Sequence, residues 1–184
     1  AALPATDEPL DALGTAPSSE RIAAEMQRIA GERFGATSRQ GRAVQALYRP
    51  GTDAPVFISG GQHANEISGI VGALRAAQTL DNHPGAHFAL MALENPDGYA
   101  LHRELRSHNA EHMHHAARYS ALGDDIEYRK GAPLYERAAR QQALARSGAQ
   151  LHLNLHGYPA HEWTRPLSGY VPRGFELWTI PKGF

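Results

Sequence analysis

Residues 55–61, Pro-Val-Phe-Ile-Ser-Gly-Gly, are a short apolar run closed by two glycines. Val56 to Ser59 reads as a buried strand. Behind it, Ile67, Val71, Leu74 and Ala77 recur at helical spacing and give a helix its inward face. One strand, one tight turn and one helix therefore follow each other within about two dozen residues. The same alternation continues along the chain. Val44, Ala46 and Tyr48 alternate in a strand over 43–48, and 87–93 is a further apolar strand ended by Asn95-Pro96-Asp97-Gly98. Leu151–Leu155 is another strand, and 175–180 is the last. Ser18 or Ser19 can cap a helix running to about residue 32, with Ile22, Met26 and Ile29 as its buried stripe. Residues 132–147 are helical, with Leu134, Ala138 and Leu144 among their apolar positions. Residues 99–131 are polar and rich in histidine, and no element is assigned to them. Strands alternating with helices predict a three-layer α/β/α fold with a mixed, largely parallel central sheet.

In such sheets ligands bind beyond the carboxyl ends of the strands. His63 lies just past one strand end, Asn95 past another, and His156 ends a third, so these residues gather on one edge of the sheet. Composition narrows the alternatives. A chain of 184 residues, 42% of them hydrophobic, suits one domain with a real core. We place that domain at 18–184 and read 1–17 as a mobile lead-in. The net charge of −1 gives no electrostatic case for nucleic acid or an anionic membrane as partner. No apolar run approaches the ~20 residues that span a bilayer. The chain has no cysteine, which excludes disulfides and thiolate metal sites. It starts at Ala1, with no charged-then-apolar signal segment in view. It reads as a processed form or an excised piece, and a cytoplasmic and a secreted or periplasmic compartment both stay open.

His63 and Glu66 stand three residues apart at the turn from strand to helix, where an imidazole and a carboxylate can close on one metal ion. Zinc favours two His and one Glu with an open fourth position. In Leu151-His152-Leu153-Asn154-Leu155-His156-Gly157, strand periodicity puts His152, Asn154 and His156 on one face. His156, at the strand tip, is the preferred third ligand, with Asn154 behind it as a supporting partner. His152 competes but lies deeper in the strand. Eleven histidines occur in the chain. A rival motif, His108-Asn109-Ala110-Glu111-His112, has the inverted His-x-x-Glu-His spacing but lacks an apolar stripe, and we read it as a loop.

These segments resemble the zinc metallocarboxypeptidases over about residues 35–184. The matching motifs are Gly35-Ala36-Thr37-Ser38-Arg39-Gln40-Gly41-Arg42, Gly61-Gln62-His63-Ala64-Asn65-Glu66, Asn95-Pro96-Asp97-Gly98-Tyr99, His156-Gly157-Tyr158 and Phe175-Glu176-Leu177. The resemblance implies one Zn2+ held by His63, Glu66 and His156, and hydrolysis of a C-terminal peptide bond. It makes Glu176 the general base; Phe175 and Leu177 point the opposite way on a strand, and Glu162 is the alternative base. Arg106 falls near the family's oxyanion-side arginine. Arg118 is the candidate for gripping the substrate's terminal carboxylate, with Arg129 as its alternative, and Tyr170 is a substrate-side candidate. Several positions depart from the family. Ala117 and His115 replace its usual Asn and Asp beside Arg118. Asn65 replaces an Arg and matches the related aspartoacylase and succinylglutamate desuccinylase group, which implies small acylated amino acids as alternative substrates. The gap from His156 to Glu176 is twenty residues, and the chain stops at Phe184. Both features imply a shortened pocket wall, with either an open site or a fold cut short at its C-terminal end, and a silent metal-binding or peptide-binding module is the third reading.

Overall fold

The computed structural model describes residues 8–110 and 114–157. At its centre is a five-stranded sheet in the order β1-β2-β4-β3-β5. The strands are β1 (Glu32–Thr37), β2 (Ala43–Arg49), β3 (Val56–Gly60), β4 (Phe88–Met91) and β5 (Leu151–Leu155). β3 pairs in parallel with β4 on one side and β5 on the other. β2 pairs antiparallel with both β1 and β4. The sheet is therefore mixed, with its parallel part centred on β3. Parallel neighbours need a crossover, and α2 (Ile67–Asp81) supplies the one between β3 and β4. The other described helices are α1 (Ser19–Arg28), α3 (Pro96–His108) and α4 (Glu136–Ser147).

Alternating strand residues sort into two cores. Leu47, Ile58, Phe88 and Leu90 meet Ile22 and Met26 of α1 and Ile70, Leu74 and Ala77 of α2. Val44, Ala46, Phe57, Ala89 and Met91 meet Ala139 and Ala143 of α4 on the opposite face. This is the three-layer arrangement expected from the sequence. Ser18 caps α1 by accepting from Arg21 N at 3.0 Å. The helix stops at Arg28 rather than near residue 32, because Ile29 is already extended and β1 begins at Glu32. Residues 8–17 of the expected lead-in touch the core at two points. Leu10 is buried, and Tyr99 Oη donates to the Pro17 carbonyl at 2.5 Å.

The unassigned stretch contains α3. Asn95 caps it by accepting from Gly98 N at 2.9 Å, and Pro96 occupies the first turn, where its missing N–H costs nothing. Its Asp97 is buried and holds the β1–β2 turn: Ser38 Oγ donates to Oδ1 at 2.7 Å, Gln40 N to Oδ2 at 2.9 Å and Arg42 Nη1 to Oδ1 at 2.9 Å. Two motifs far apart in sequence are thus one structural latch. β5 is the edge of the sheet among the described residues, and its Leu151 and Leu153 are exposed. The strand expected at 175–180 lies outside the described residues.

Candidate metal centre

β3 runs out at Gly60, and Gly61 turns the chain with φ +63. A side chain at 61 would meet Ile70 and Leu93 at 2.9 Å, so both the angle and the space call for glycine. The turn puts His63 one residue past Gln62 and ends at Glu66, the residue that leads into α2. Glu66 N donates to the His63 carbonyl at 3.0 Å, which closes the turn and faces the two side chains inward. β5 delivers His156 beside them. It comes close because Gly69 of α2 lies directly against the Leu155 carbonyl, where any Cβ would clash.

Glu66 is the hub. His63 Nδ1 lies 3.0 Å from its Oε1, His156 Nδ1 lies 2.8 Å from its Oε2, and Gly157 N donates to Oε2 at 3.2 Å. The two imidazole centroids are 4.7 Å apart. Ligand atoms of all three residues lie within 4.8 Å of one another. Bonds of ~2.0–2.1 Å at tetrahedral angles put ligand atoms about 3.3 Å apart, so a zinc ion fits this set with small adjustments. His63 and Glu66 are buried while the His156 side chain is 32% exposed, so among the described residues the centre is least covered on the His156 side. His152 does not join the group. Its ring hydrogen-bonds Ser59 Oγ at 2.8 Å and stacks on Phe57 at 4.3 Å.

The centre's electrostatics follow from these contacts. Burial pushes the Glu66 carboxyl up, but His156 and His63 more than reverse this and bring it to about 2. Burial presses the His63 imidazole down, and Asp125 and Glu66 carry it above its ordinary 6.5. Asp125, which the sequence reading missed, lies with Oδ2 3.0 Å from His63 Nε2. A carboxylate behind the imidazole fixes its orientation and raises its basicity toward a metal. Burial raises the Asp125 carboxyl too, and its bonds to His63 and Glu127 N bring it to about 2. No periodicity marks Asp125. Its one signal is the acidic pair after the Gly123 turn, seven residues past Arg118.

The arginines separate clearly. Arg118 Nη1 reaches Glu66 Oε1 at 3.4 Å, and its Nη2 is 3.8 Å from Asp125 Oδ2. Arg106 sits in the last turn of α3, where its charge acts on Tyr99 and His102, and no ion pair joins it to the centre among the described residues. Arg129 is buried and saturated by Asp124, Ser120, Glu136 and the Leu134 carbonyl, so it braces its own loop. Of the rival motif, His108 ends α3 and is exposed. Glu111 and His112 lie outside the described residues, as do Tyr158, Glu162, Tyr170 and Glu176.

No protein-family model and no curated protein matches the sequence. Solved structures do. A metallo-carboxypeptidase from Burkholderia cenocepacia superposes with a TM-score of 0.57 at 18% identity, covering 77% of this chain and 41% of that one. Carboxypeptidase A from Helicoverpa armigera gives 0.57 at 14%, covering 85% and 50%. The fold is that of the metallocarboxypeptidases. A third structure, the metallo-carboxypeptidase from Pseudomonas aeruginosa in complex with (2-guanidinoethylmercapto)succinic acid, gives 0.54 at 22%, covering 91% and 53%. The chain spans about half the length, or less, of these carboxypeptidase structures. No described helix is long and apolar enough to cross a membrane.

Proposed function

We propose that this chain carries the catalytic centre of a zinc-dependent metallocarboxypeptidase, which hydrolyses the C-terminal peptide bond of its substrate. The observation that carries this reading is the convergence of His63, Glu66 and His156 at the carboxyl edge of a carboxypeptidase-like sheet. Zinc in this group would supply Lewis-acid polarisation of a carbonyl and a water acidic enough to give up a proton near neutrality. His63 and His156 would hold it as neutral imidazoles and Glu66 as a carboxylate, with Asp125 orienting His63. Glu176 would take the proton from the attacking water and return it to the leaving amine. Arg118 would grip the free carboxylate of the substrate through its forked donors. Its place beside Glu66 also favours it over Arg106 for stabilising charge on the carbonyl oxygen. Tyr170 is the proposed further substrate contact. The succinic acid ligand of the Pseudomonas relative is the kind of acid that a guanidinium binds, which supports an arginine in this role.

Asn65, between the two ligands of the turn, favours a second reading: an amidohydrolase of the aspartoacylase type acting on small acylated amino acids. Turnover of blocked dipeptides and of N-acetylaspartate, with and without added zinc, separates the readings. The proposal expects zinc-dependent dipeptide hydrolysis that His156→Ala abolishes and that Glu176→Gln abolishes with zinc retained. Hydrolysis of N-acetylaspartate alone would transfer the assignment to the second reading. Zinc binding without turnover of either would identify a silent binding module.

A further inference from the structure

We infer that Gln62 is a positioning residue of the metal centre: its amide, oriented by Arg140 and Asn154, holds Asp125 so that His63 presents Nδ1 to the metal. Arg140 Nη2 and Asn154 Nδ2 both lie 2.7 Å from Gln62 Oε1. Both are N–H groups that only donate. Gln62 must therefore turn its carbonyl oxygen toward them and its NH2 the other way. There Nε2 donates to Asp125 Oδ1 at 2.9 Å, an oxygen that also accepts from Glu127 N at 3.0 Å. Oδ1 is filled by these two donors, and Oδ2 is left to His63, 3.0 Å from Nε2. A carboxylate only accepts, so His63 Nε2 donates to Oδ2. In the metal-free chain Nδ1 likewise faces an acceptor, Glu66 Oε1 at 3.0 Å, and a bound metal would take the place of the Nδ1 proton while Asp125 keeps the one on Nε2.

Arg140 is a firm anchor for this chain of bonds. It is buried on α4, and its Nε and Nη2 grip the buried Glu94 at 2.7 and 2.9 Å while Nη1 binds Glu127. Gln62 itself is buried, so water cannot replace its bonds. Turning the amide over would set its oxygen against the Asp125 carboxylate and its NH2 against two donors. The polarity of one amide is thus set from α4 and β5 and passed to a metal ligand.

The inference rests on the zinc reading above, and its test distinguishes the two. Zinc affinity of the full chain is measured by competition with a chromophoric chelator in wild type, Gln62→Met, Asn154→Ala and a control, Ser147→Ala on α4. Gln62→Met is expected to weaken zinc about tenfold, and Asn154→Ala to weaken it less. Ser147→Ala is expected to lower thermal stability alone. Long-range 1H–15N spectra of the zinc-bound wild type are expected to show His63 protonated at Nε2, with that signal weakened in Gln62→Met. A purely structural Gln62 would lower the melting temperature and leave affinity and proton position unchanged, which overturns the inference. If Gln62→Met does not fold, Asn154→Ala and the wild-type proton position decide it: an Nδ1–H imidazole in zinc-bound wild type overturns it outright. Wild type that binds no zinc refutes the metal reading and this inference together. Wild type that binds zinc while the variants bind equally well refutes this inference alone.

Discussion

Replacing Glu66 by Gln tests the electrostatics of the centre without any substrate. In the metal-free chain the carboxylate faces His63, His156 and the Gly157 amide, and Arg118 approaches it. Its folded pKa is brought from 4.5 to about 2, by the imidazoles acting against burial. That difference corresponds to about 3 kcal/mol of stability. A depressed folded pKa contributes stability above the unfolded value, and the contribution fades as pH falls from 4.5 toward 2. His63 has the opposite sign. Its raised folded pKa contributes stability below 6.5, and this is lost as pH rises through the folded value. These two groups contribute most between about 4.5 and 6.5, whereas His102 and His152, held down to about 4 chiefly by burial, remove stability as pH falls below 6.5, so the variant is compared with wild type at each pH. Glu66→Gln is expected to lose about 3 kcal/mol in that window and to converge with wild type toward pH 2. Urea titrations followed by circular dichroism at a series of pH values measure both curves. A variant as stable as wild type at pH 6, or a gap that persists unchanged toward pH 2, refutes the reasoning.

Other expectations follow from single contacts. Asp97→Ala removes the acceptor of Ser38, Gln40 N and Arg42, and is expected to cost about 2–4 kcal/mol in chemical denaturation. Gly69→Ala would stabilise an ordinary helix, but here a Cβ meets the Leu155 carbonyl; calorimetry is expected to show a loss of about 1–3 kcal/mol, with weaker zinc binding as His156 shifts. Arg118→Lys keeps the charge and loses the fork, so KM for a blocked dipeptide is expected to rise about tenfold while zinc affinity holds. Unchanged KM would remove Arg118 from the substrate site.

The parts of the centre legible in the sequence are those written over a few consecutive residues. His63 and Glu66 share one turn, and the preceding apolar run and glycines announce it. His156 is legible because period two and a strand end place it. Asp125 is not, because it is 62 residues from His63 and meets it only through tertiary packing. α3 was missed although Asn95 and Pro96 are helix-start signals. The same residues also read as a turn, and the polar, histidine-rich stretch after them hides the buried face carried by Tyr99 and His102. The same stretch carries Arg106, which lies in the last turn of α3 with its charge acting on Tyr99 and His102. Arg140 shows the converse. Its charge on α4 looks like a solvated surface group in sequence, and packing buries it against Glu94.

The most direct test of the central claim is a crystal structure of the full chain grown with stoichiometric zinc. The account expects the ion within ~2.0–2.2 Å of His63 Nδ1, His156 Nδ1 and a Glu66 oxygen, with one position open. Zinc held instead by the His108–His115 stretch, with His156 turned away from Glu66, would contradict it.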